Sequence, residues 1–80
     1  MTYKSLSAGK QLELMKYILS RWVLIQWEND GYTLELRLYP TDRYVSHTDK
    51  DYAQALIGFV TKLSKHVSDE VRQEIERILQ

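Results

Sequence analysis

The sequence predicts an α+β domain: a helix, an antiparallel β-hairpin with room for a third short strand, then two helices packed on the sheet. Three observations carry this. Apolar residues recur at helical spacing before residue 22 and after residue 50. Between them, two β-branched and aromatic runs flank Glu28-Asn29-Asp30-Gly31, a cluster of turn formers. Eighty residues with 44% hydrophobic content, three glycines and one proline make one globular domain spanning 1–80 with a modest core.

The first helix is expected over residues 8–20, capped by Ser5 or Ser7. Ala8, Leu12, Met15, Leu19 and Trp22 form one apolar stripe, widened by Ile18. Leu14 and Tyr17 fall off that stripe. The first strand is Trp22 to Trp27, and the second alternates from Tyr32 to Tyr39. Matching apolar faces opposes Trp27 to Tyr32, Ile25 to Leu34 and Val23 to Leu36 across a four-residue loop, with Gly31 at positive φ. A one-residue slip would set Gln26 against Leu34, and Ile25 and Val23 against Glu35 and Arg37.

Pro40 ends the second strand, because it has no N–H to donate. Thr41-Asp42-Arg43 reads as a turn, and Tyr44-Val45-Ser46 suits a short third strand. Thr48 or Asp49 then caps a helix over 49–66, whose apolar stripe is Tyr52, Leu56, Phe59, Val60, Leu63 and Val67. Ser68 caps a final helix with Val71, Ile75, Ile78 and Leu79 on its inner side. The expected core is Val23, Ile25, Leu34, Leu36, Leu56, Phe59, Val60, Leu63, Ile75 and Leu79.

Charge narrows the function classes. Eleven basic residues balance eleven acidic ones, five against four in residues 1–40 and six against seven in residues 41–80. A nucleic-acid binder normally shows a basic excess or stripe. There is no cysteine, hence no disulfide, thiol nucleophile or thiolate metal site. No apolar run approaches the roughly 20 residues that span a bilayer, and residues 1–10 lack a signal-peptide layout. The expectation is a cytoplasmic domain without a cofactor.

His47, Asp49 and Asp51, with Asp42 nearby, hold most of the reactive side-chain types. Alternating on an extended strand they would face one way and suit a metal or acid–base site. At a helix start at Asp49 they diverge and serve as capping residues instead. His66 falls at a helix end, away from these side chains. No catalytic, cofactor or metal residue is therefore assigned.

Six tyrosines and two tryptophans point to recognition, because aromatic side chains bring area, rigidity and a polar tip to interfaces. The surface expected to meet a partner is Leu14, Tyr17, Trp22, Leu24, Arg37, Tyr39, Arg43 and Tyr44. These lie off the helical stripe, on the outer hairpin face or in the following loop. The expected function is a small non-enzymatic protein-interaction module, a homodimer or one part of a heterologous complex. The alternatives are a nucleic-acid module using the sheet aromatics with Arg37 and Arg43, and a small enzyme or metal site around His47.

Overall fold

The computed structural model describes residues 6–38 and 43–80. Helix α1 (Ala8–Arg21) leads into strands β1 (Leu24–Asn29), β2 (Gly31–Leu38) and β3 (Arg43–Asp49), followed by helices α2 (Tyr52–Leu63) and α3 (Asp69–Leu79). The three strands form one antiparallel sheet in the order β1-β2-β3. Helix α2 packs against β3 and β2, and α1 packs against α3. A single buried cluster joins the three helices to the inner face of the sheet. The α+β class and the element order are as the sequence predicts.

Each helix begins at a side-chain cap. The Lys10 N–H donates to the Ser7 hydroxyl, the Gln54 N–H to Asp51 Oδ2, and the Val71 N–H to the Ser68 hydroxyl. The second cap is Asp51, two residues beyond Asp49. Pairing with β2 continues through Thr33↔Thr48 to Tyr32↔Asp49, with the two threonine hydroxyls 2.7 Å apart. The ladder holds residues 47 to 49 extended and delays helix initiation.

Helix α1 is rotated from the expected stripe. Leu14 and Ile18 are fully buried, whereas Leu12 and Leu19 are more than half exposed. Polar contacts run along the flank of the buried side. Lys10 Nζ donates to the carbonyls of Leu79 and Gln80, and Glu13 faces Arg77 at 3.6 Å. Both contacts tie one side of α1 to the end of α3, and Leu14 and Ile18 lie on that side.

The hairpin takes the slipped register. Gln26 opposes Leu34, Ile25 opposes Glu35, and Trp27 opposes Thr33 rather than Tyr32. The cause lies upstream. Leu14, Ile18 and Trp22 follow at helical spacing on one face, and Trp22 packs against the core as α1 ends. Strand alternation then turns Leu24 inward and Val23 and Ile25 outward. Leu24 packs on the core, while Val23 is 83% and Ile25 55% exposed. These two leave the expected core, and the other eight members are buried.

The turn holds the register with Asp30 alone between the strands. Gly31 does not adopt positive φ. Its requirement is a close approach: a Cβ there would lie 2.8 Å from the Asp49 carbonyl oxygen.

Candidate interaction surface

Alternation along the three strands sorts their side chains onto two faces. The inner face carries Leu24 and Gln26 from β1, Tyr32, Leu34 and Leu36 from β2, and Val45, His47 and Asp49 from β3. The outer face carries Ile25 and Trp27, then Thr33, Glu35 and Arg37, then Tyr44, Ser46 and Thr48, with Val23 at its rim. No described helix covers it. Ile25, Trp27 and Tyr44 are each about half exposed there, at 55%, 46% and 60%.

Arg37 and Tyr44 are directly opposed, and the guanidinium lies 5.7 Å from the ring centroid. Arg21 lies 5.8 Å from the rings of both Tyr17 and Trp22. Between these two aromatic–arginine groups runs a groove of roughly 660 Å³, lined also by Val23, Ile25, Glu35 and Leu36. A second groove of roughly 560 Å³ shares Arg21 and Trp22 and continues past Arg43 to His66 and Val71. An apolar lining with arginine and aromatic groups suits a peptide or protein side chain.

The residues expected to meet a partner are divided by the fold. Tyr44, Arg37 and Trp22 line the first groove, and Arg43 and Trp22 line the second. Tyr17 is half-buried under Arg21. Leu14 is fully enclosed by the chain's own core, and Leu24 packs on the inner side. Neither presents a surface. Tyr39, like Pro40 to Asp42, lies outside the described residues. Sequence reasoning missed Val23 and Ile25, which it placed in the core, and Trp27, which it set on the same apolar strand face. The spacing of Leu14, Ile18 and Trp22, carried by parity into the strand, is the signal that finds them.

The acidic and histidine side chains near β3 are engaged locally. Asp49 Oδ1 accepts from the Asp51 N–H at 3.1 Å, and Asp51 caps α2. His47 faces inward, its ring pressed on α2 where Gly58 leaves room, and its Nδ1 is buried without a hydrogen-bond partner. Burial, then the Lys62 ammonium, lowers the His47 pKa, against a smaller opposing effect of Asp49. Among the described residues no three histidine or acidic side chains gather as metal ligands. The Tyr52 hydroxyl donates to Gln26 Oε1 at 3.2 Å, and burial raises its pKa.

Comparison with protein families, curated proteins and solved structures finds no match to this chain. Among the described residues, no helix is long and apolar enough to cross a membrane.

Proposed function

We propose that this chain is a small non-enzymatic protein-interaction module, and that its docking surface is the outer face of the sheet. One observation carries the reading: Val23, Ile25, Trp27 and Tyr44 stand exposed together on a sheet face that no described element covers. A sheet face rich in large apolar side chains is normally buried against another layer. The partner that suits this face is a protein surface of mixed apolar and aromatic character, with charge to meet Arg21, Glu35 and Arg37.

The aromatic–arginine pairs also suit a single-stranded nucleic acid, whose bases stack on such groups. Glu35 in the same groove and the zero net charge argue against a phosphate backbone there. Light scattering at micromolar concentration, with and without Ile25→Asp, tests the choice beside titration of a fluorescent single-stranded oligonucleotide at two salt concentrations. The proposal expects association that tolerates salt and disappears in a folded Ile25→Asp variant. A monomer that binds the oligonucleotide, with affinity falling steeply as salt rises, replaces it with the nucleic-acid reading.

A further inference from the structure

The two edges of the sheet differ. On β3, α2 packs alongside, and Lys62 Nζ donates to the Ser46 carbonyl at 3.0 Å, which occupies a backbone acceptor. Among the described residues strand β1 has no such guard. Its residues Leu24 to Asn29 include no lysine, arginine or proline, five of the six are exposed, and its main contacts are with β2. An unguarded, largely uncharged edge strand is a template for another strand.

Charge selects the occupant. Arg21 stands just before β1, and Glu28 and Asp30 stand at its other end. Among the described residues none of the three has an oppositely charged partner. A second copy laid antiparallel along β1 brings each acidic end to the other's Arg21. A parallel copy would set like against like.

We propose, resting on the interaction reading above, that two copies pair β1 to β1 antiparallel about a two-fold axis through Ile25, forming one six-stranded sheet. Opposed residues in an antiparallel pair share a face, which fixes the allowed registers. Centring on Ile25 sets Ile25 against itself and Val23 against Trp27 of the second copy, so the outer-face contacts are all apolar. It also sets Trp22, beneath the Arg21 guanidinium, against Glu28 of the second copy. Centring on Gln26 instead opposes Leu24 to Glu28 and Val23 to Asn29, a poorer match on both faces. The favoured register brings a Trp27 ring to the rim of each groove lined by Val23 and Ile25.

The chain has no cysteine, so single introduced thiols report the geometry cleanly. Ile25→Cys and Tyr44→Cys place a thiol on the same exposed face, at the axis and on the far strand respectively. Circular dichroism confirms that each variant is folded before mild oxidation at micromolar protein. Ile25→Cys is expected to form a covalent dimer roughly a hundred-fold faster, because paired thiols meet at millimolar effective concentration rather than by chance encounter. Equal rates overturn the edge pairing. Faster crosslinking of Tyr44→Cys also overturns it, in favour of outer faces stacked on each other, and leaves the interaction reading standing. A wild-type chain that stays monomeric in light scattering overturns the edge pairing and leaves the interaction reading to a different protein partner.

Discussion

Gly58→Ala tests the placement of His47 against α2. On helix propensity alone the substitution should stabilise, since alanine is favoured over glycine in a helix interior by about 1 kcal/mol. The structure reverses the sign. A Cβ at residue 58 would lie 2.2 to 2.7 Å from three atoms of the His47 ring, well inside van der Waals contact. The ring lies between the sheet and α2 with Nδ1 buried, so its displacement disturbs neighbouring packing. Overpacking of this kind costs about 1–3 kcal/mol. Subtracting the propensity gain leaves a net loss of about 1 kcal/mol from the middle of that range. With His47→Ala in place the obstacle is gone, and Gly58→Ala should stabilise by about 1 kcal/mol. The coupling across the double-mutant cycle is then about 2 kcal/mol. Urea titrations followed by circular dichroism on the four proteins measure it. Stabilisation by Gly58→Ala in both backgrounds, with no coupling, would show that the ring does not rest on α2.

Phe59 is fully buried, and Phe59→Ala should lower unfolding free energy by about 3–5 kcal/mol in the same titration. Gly31→Ala should destabilise despite the ordinary backbone angle at residue 31, because the added Cβ meets the Asp49 carbonyl; unchanged stability would place β2 and β3 further apart than described. The lowered His47 pKa makes the unfolded chain bind the extra proton first as pH falls below the usual value of about 6.5. That contribution to stability is complete above this pH and is lost as pH drops toward the folded-state pKa. His47→Gln should therefore flatten the stability profile below neutrality, and an identical slope in both proteins would contradict the burial of the ring.

The kinds of element and their order follow from local chemistry, so much of the architecture was legible in the residues, while several boundaries shifted by two or three residues. Ser7 and Ser68 cap helices because a hydroxyl satisfies an orphan backbone N–H. The Asn29-Asp30-Gly31 stretch places the turn because such residues favour turns, although only Asp30 stays outside the strands rather than the four residues expected. Eight of ten expected core residues are buried, all of them from β2, α2 and α3, where a single apolar stripe leaves one choice of face. Where two choices existed, only the assembled molecule selected between them. Helix α1 carries apolar residues around more than one face, and its packing against α3 and the common core puts Leu14 and Ile18 inside, with contacts from Lys10 and Glu13 to the end of α3 along the flank. That rotation fixed the direction of Trp22, and strand parity passed it on to Leu24, Val23 and Ile25. The hairpin register, and with it the exposed outer face, depends on packing between residues far apart in the chain, which a local pattern of apolar side chains does not encode.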